Sequence, residues 1–208
     1  MSLMNKTHGV EKYPRDPPHR VANLLAERRY KASIGNSTAS AIDIRGWTSD
    51  GCQGSFRACT GIDPRLCCIF SETSSSGRYS ISVNAIPTSW RIGAEARTGG
   101  ACRYIGTSAS PASGRKDICM RYTNRGDRTG GYYYFPTLKR AADKSCPAEQ
   151  PEDGKCEASV KPNALGLEDG TMYDITGLTE EKIQELEEIA IAGATADVVP
   201  VEFKILSV

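Results

Sequence analysis

Histidine is nearly absent from this chain of 208 residues: His8 and His19 are the two it has, and none follows them. Everything beyond position 19 therefore lacks the imidazole needed for Ser-His-Asp or Cys-His catalysis and for a histidine-bearing zinc site. G-x-S-x-G, P-loop and G-x-G-x-x-G patterns are missing too, which excludes the usual signatures of hydrolases and nucleotide-binding enzymes. No apolar run approaches the ~20 residues that cross a bilayer, so no transmembrane segment is expected. Aromatic residues make up only 7% and hydrophobic residues 39%, which predicts a modest core that leans on cross-links. Met1 to Tyr30 shows no positive start followed by an apolar stretch of about 7–15 residues, the pattern of a secretory leader.

Cysteine is plentiful by contrast. Cys52, Cys59, Cys67, Cys68, Cys102 and Cys119 lie in one cassette, and Cys146 and Cys156 follow in the next segment. An even number in turn-rich sequence, with no C-x2-C pair and no nearby histidine, points to disulfides in an oxidising compartment, and no metal or cofactor is expected. That conflicts with the missing leader, and a processed or altered start of a secreted protein reconciles the two. The sequence does not choose among the pairings of the six. If Cys67 and Cys68 share a strand, their side chains point to opposite faces, so the doublet could tie one strand to two layers. The simplest pairing for Cys146 and Cys156 is with each other.

The net charge of +1 conceals an asymmetry. Residues 1–44 carry 7 basic and 4 acidic side chains, residues 45–140 carry 14 and 6, and residues 141–208 carry 5 and 15. A basic core followed by an acidic extension invites attraction of the core to an anionic partner, or docking of the tail on the core.

Read in order, residues 1–40 form a polar arm broken by Pro14, Pro17 and Pro18, with two glycosylation sequons at Asn5 and Asn36. A β core over 41–140 starts where Ile42 and Ile44 alternate with Asp43 and Arg45. Tyr79, Ile81 and Val83 alternate with serines, and Trp90, Ile92, Ala94 and Ala96 alternate with Arg91, Gly93, Glu95 and Arg97. Thr98-Gly99-Gly100 signals a hairpin returning through Ala101 to Ile105. Small-residue loops over 107–114 and 124–131 then lead to strands at Ile118–Tyr122 and Tyr132–Phe135. Six or seven short strands with regular turns predict a mainly β fold: a disulfide-cross-linked antiparallel sandwich or small barrel.

The acidic extension, 141–208, should hold one C-terminal helix, capped by Thr179, burying Ile183, Leu186 and Ala190, wet along Glu185, Glu187 and Glu188, and stopped at Gly193. A final edge strand is expected after Pro200. Lys139-Arg140 falls at the change of charge sign and Arg28-Arg29 precedes the core, both readable as dibasic processing sites. Arg125-Gly126-Asp127 matches the integrin tripeptide, a match that turn chemistry in an arginine-rich chain also produces.

The candidate binding residues are Arg91, Arg97 and Arg103, which would make a guanidinium strip if they share an outer face, with Arg121 and Tyr104 beside it. Tyr122 and Tyr132 to Tyr134 could add stacking surface. Asp43, Asp50, Asp63, Glu72, Glu95, Asp117 and Asp127 keep open a carboxylate-dependent glycosidase as an alternative.

The order C-x6-C-x7-C-C, then Pro87-x-x-Trp90, Gly99-Gly100-x-Cys102 and Ile118-Cys119, resembles the small secreted cysteine-rich proteins of filamentous fungi over residues 45–122. The resemblance implies secretion, a disulfide-bonded β fold and an effector-like or toxin-like role. The expected function is non-enzymatic binding of a cell-wall glycan or anionic cell surface, with no nucleic-acid partner. The other alternative is a structural or regulatory module with its acidic tail docked on the basic core.

Overall fold

Two sheets face each other, and the side-chain alternation of their strands decides what lies between them. A computed structural model describes residues 42–74, 77–122, 126–136 and 158–208; the readings on the N-terminal arm, Arg125, Lys139-Arg140, Cys146 and Cys156 lie outside these residues. The larger sheet holds β1 (Asp43–Trp47), β2 (Phe56–Cys59), β4 (Ser80–Asn84), β7 (Ile118–Met120), β10 (Ala164–Gly166) and β11 (Met172–Asp174), in the order β11-β10-β2-β1-β4-β7. The smaller holds β3 (Cys67–Ile69), β5 (Ile92–Thr98), β6 (Tyr104–Ala112), β8 (Arg128–Tyr134) and β9 (Ser159–Val160), in the order β6-β5-β8-β3-β9. Pairing is antiparallel except between β3 and β9. The architecture is an open sandwich; among the described residues no barrel closes.

Ile44, Ile81, Val83, Ile118 and Met120 of the larger sheet meet Cys68, Ile92, Ala94, Ala96 and Tyr133 of the smaller, all nearly or fully buried. Burying an isoleucine or valine side chain contributes roughly 1.5–3 kcal/mol, so even this small set matters beside a domain stability of about 5–15 kcal/mol. The cysteine doublet behaves as strand geometry requires. Cys68 bonds to Cys59 of β2 in the opposite sheet, and Cys67 bonds to Cys102 in the β5–β6 turn. The third bridge, Cys52–Cys119, fastens the β1–β2 loop to β7.

Two expected loops are largely strand. β6 continues to Ala112 through the small residues 107–112, with Pro111 tolerated because β6 is an edge, and two register shifts absorb its irregular pairing with β5. β8 begins at Arg128, ahead of the aromatic run. Gly130 and Gly131 mark close approaches there: a Cβ at Gly130 would lie 2.6 Å from Cys102 Sγ, and one at Gly131 would lie 2.8 Å from Ile81 Cγ2.

The C-terminal residues add β9, β10 and β11 to the two sheets and then form α1 (Glu180–Ile191) and α2 (Val201–Lys204). Thr179 caps α1 by accepting from the Lys182 amide. Ile183, Leu186 and Ala190 pack with Val199 and Phe203 on Leu165, Leu167, Tyr173 and Ile175, making a second core. The expected strand after Pro200 is a helical turn instead, since proline fits the start of a helix as readily as a strand edge. Edge pairing follows a few residues later, where Asp174 N donates to Leu206 O at 2.8 Å and Val208 N to Met172 O at 3.1 Å. Among the described residues no helix is long and apolar enough to cross a membrane.

An ionic seam lies beside the two cores. Glu187 was expected on the wet side of α1, but it stands one turn after Ile183 and faces inward. Its carboxylate accepts from Arg57 Nη2 of β2 at 2.5 Å and from Arg78 Nη1, with all three side chains at most 17% exposed. Burial works to raise the Glu187 carboxyl, but the guanidiniums, Arg78 foremost, outweigh it and hold it below its ordinary value of 4.5. A carboxyl depressed in the folded state contributes stability that is complete above the ordinary range and lost as pH falls through the folded value.

Acid titration of thermal stability should therefore show a steep loss below about pH 4.5 that is shallower in Glu187→Gln. Removing one cross-link with Cys59→Ala and Cys68→Ala together should cost about 2–5 kcal/mol, read as a lower denaturant midpoint by circular dichroism.

Candidate binding groove

The outer face of the larger sheet carries a groove whose floor is aromatic. Ile44 points inward, so Asp43, Arg45 and Trp47 fall on the outer side of β1, next to Phe56 and Ala58 of β2. Among the described residues no layer lies over this face, where polar residues would be the ordinary choice. Here Phe56, Ala58 and Ala164 are buried there, with Trp47 and Met172 packed against them. Trp47 and Phe56 pack with ring centroids 4.5 Å apart and planes tilted by 48°, and the Arg45 guanidinium lies 4.6 Å from the Phe56 centroid. Phe56 lies so closely over Gly166 that a Cβ there would come within 2.1 Å of its ring.

The indole is fixed by a hydrogen bond as well as by this packing. Trp47 Nε1 donates to Ser82 Oγ at 2.7 Å, which leaves the ring in place and its remaining surface available. Cys52, Gln53 and Gly54 form one wall, held by the Cys52–Cys119 bridge and by the Cys52 amide donating to Ser80 Oγ at 2.9 Å. Leu167, Glu168 and Gly170 of the β10–β11 turn form the other. The space between is about 430 Å³, inside the ~300–1,000 Å³ range of small-ligand sites. A second cleft, between Phe70 and Ile183 beside the ionic seam, holds about 220 Å³ and falls short of it.

The arginines expected to form a strip are separated. Arg91 is exposed ahead of β5 and Arg103 is exposed in the turn after it, 5.8 Å from the centroid of exposed Tyr104. Arg97 is buried between them: its guanidinium pairs with Glu95 at 2.6 Å and donates to Tyr132 Oη at 2.6 Å. The three therefore make no continuous exposed face. Arg121 is exposed beyond β7. Burial, reinforced by Glu95, pushes the Tyr132 phenol up to about 12 although Arg97 opposes it. Of the candidate carboxylates, Asp43, Glu95 and Asp127 are engaged by Arg45, Arg97 and Arg128, and Asp117 accepts from Asn84. Among the described residues no three metal-ligating side chains gather.

The groove has a counterpart in how the chain divides by similarity. The family model ARB_05566_N, an N-terminal domain, matches residues 43–163. The chain belongs to this family. The companion C-terminal domain model of the ARB_05566 family matches residues 168–208. The chain is also 23% identical over 169 residues, 80% of its length and 85% of the other's, to a protein of Arthroderma benhamiae named "Uncharacterized secreted protein". No solved structure matches. This ARB_05566 family member is a secreted, disulfide-rich β protein that resembles a secreted fungal protein. Trp47 and Phe56 come from the segment matched by the first model, and Glu168 and Gly170 from that matched by the second.

Separated roles for the arginines predict separated costs. Arg97→Gln leaves the Glu95 carboxylate without its cation and should lose about 1–3 kcal/mol of stability, whereas Arg91→Gln and Arg103→Gln should stay within about 0.5 kcal/mol, measured by urea unfolding.

Proposed function

We propose that this protein is a non-enzymatic glycan-binding protein that attaches to a cell-wall polysaccharide through the groove over Trp47 and Phe56. The observation that carries this reading is the packed aromatic pair on a sheet face that no layer covers among the described residues. A pyranose ring has an apolar face of C–H groups and a rim of hydroxyls. An indole face supports the first, and Arg45, Gln53 and Glu168 at the edges suit the second. The cross-linked wall and the fixed indole lower the ordering cost of binding. Attachment to the surface of another cell is what an effector-like or toxin-like secreted protein requires. Engagement of four candidate carboxylates by neighbours supports binding over hydrolysis. Glu187 between Arg57 and Arg78 supports a complementary reading, in which the acidic tail is a permanent structural part of the basic core.

The test is retention on insoluble neutral cell-wall polysaccharides, with released reducing sugar measured in parallel. Wild type should be retained without releasing sugar. Trp47→Ala should weaken retention at least tenfold, about 1.4 kcal/mol. Gln53→Ala and Glu168→Ala, which alter the rim and leave the packed floor intact, should each weaken it severalfold. No retention by wild type, retention indifferent to all three changes, or sugar release would overturn the proposal.

A further inference from the structure

The buried arginines of this protein have partners of opposite charge: Arg57 and Arg78 hold Glu187, Arg97 holds Glu95, and Arg128 holds Asp127. Arg91, Arg115 and Lys116 are different. All three are exposed, and none makes an ion pair among the described residues. They lie on two turns that run side by side at one end of the sandwich. Residues 85–91 cross from β4 in the larger sheet to β5 in the smaller, and residues 113–117 cross back from β6 to β7. Backbone bonds lock the turns together, Gly114 N donating to Thr88 O and Ile86 N to Lys116 O, each at 2.9 Å. The flanking pairs Ile92 with Ala112 and Val83 with Ile118 fix both turns to the sheets. Three cations are thus presented on a braced platform. The turns hold one carboxylate, Asp117, and Asn84 Nδ2 already donates to it at 3.0 Å.

We infer that these paired turns form a second contact surface, fitted to an acidic polysaccharide bearing carboxylate or sulfate groups. Guanidinium and ammonium groups recognise such oxyanions through charge-assisted hydrogen bonds, and a platform fixed in advance loses little entropy on binding. The other exposed side chains there, Ala85, Thr88, Ser89 and Ser113, are small or hydroxylic. Ile86 is buried, and the ring of Trp90 packs 5.0 Å from Phe135. The fully exposed side chains of the turns therefore offer no large apolar group to a lipid surface or a nucleobase, Trp90 being half-buried against Phe135, whereas hydroxyls suit a sugar chain. This surface is separate from the groove: β4 pairs with β1 through Asn84 at the turn end and through Ser80 beside Trp47 at the other.

The full-length protein should be measured against immobilised polygalacturonate and heparin, with neutral dextran as blank and phosphatidylserine vesicles as a separate arm. Arg91→Gln, Arg115→Gln and Lys116→Gln combined should weaken binding to the acidic polymers at least tenfold and lower the salt needed for elution. A charge-matched set at other exposed positions, Arg103→Gln, Arg121→Gln and Lys161→Gln, should stay within about twofold of wild type, given the short range of screened charge. The first set should leave neutral-polysaccharide retention intact and Trp47→Ala should leave acidic-polymer binding intact, so failure of this surface is distinguishable from failure of the groove. Equal losses in both sets, no loss in the first, no binding by wild type, or a preference for vesicles over both polymers would overturn the inference.

Discussion

The constraint on which the rest depends is the adjacency of Cys67 and Cys68 in a strand of three residues. Successive side chains of a strand leave on opposite faces, so one sulfur is committed to the inside of the sandwich and the other to the outside. Cys68 goes inward to Cys59 and sets the separation of the two sheets; Cys67 goes outward and pins the β5–β6 turn. The core between the sheets includes Ala94, Ala96 and Gly131, residues that bury little apolar area. A layer packed with such small side chains gains less from burial than one built of leucine and phenylalanine, and closing loops covalently offsets the difference by restricting the unfolded chain.

Arginine carries out two tasks in one chain, and partners separate them. Where the sheets or the helix close over a guanidinium, a carboxylate or a ring is always nearby: Glu187 for Arg57 and Arg78, Glu95 and Tyr132 for Arg97, and the Tyr122 ring at 3.5 Å with Asp127 for Arg128. A buried cation without such compensation would carry a large desolvation cost, so these arginines are structural. The basic excess that remains for an outside partner sits in the turns. Counting charge along the sequence overstates it, because the interior acids and part of the acidic tail are already committed to the core.

Most of the fold was legible wherever a strict period governed burial. Ile42 and Ile44, the Ile92-Ala94-Ala96 series and the Ile183-Leu186-Ala190 stripe are all inside, because one face of each element has no alternative to burial. Glycine was the main source of error. Gly130 and Gly131 look like turn residues, yet they are strand residues under a sulfur and an isoleucine methyl, a reason invisible without the partner strands. Trp47 could have been placed: with Ile42 and Ile44 inside, parity puts it on the outer face. Its partner Phe56 and the far wall at Glu168 could not, since they depend on which strands become neighbours. Glu187 gave one local signal, its spacing of four from Ile183, which an all-acidic helix surface conceals.

The groove ties ligand binding to the assembly of the whole chain. Its floor comes from β1 and β2, one wall from a loop that Cys119 holds from the far edge of the sheet, and the other from a turn supplied only after β10 has paired with β2 and been covered by α1. Phe56 sits over Gly166, so the aromatic floor itself is shaped by the C-terminal segment. A piece of the chain that stops before α1 lacks one of these parts. The helix stays in register with the sheet partly through Glu187, which lies on the inner side of the same β2 strand whose outer side carries Phe56. Anything that loosens the seam therefore acts on the strand that forms the groove floor, and the integrity of the acidic extension becomes a condition for the site rather than an accessory to it.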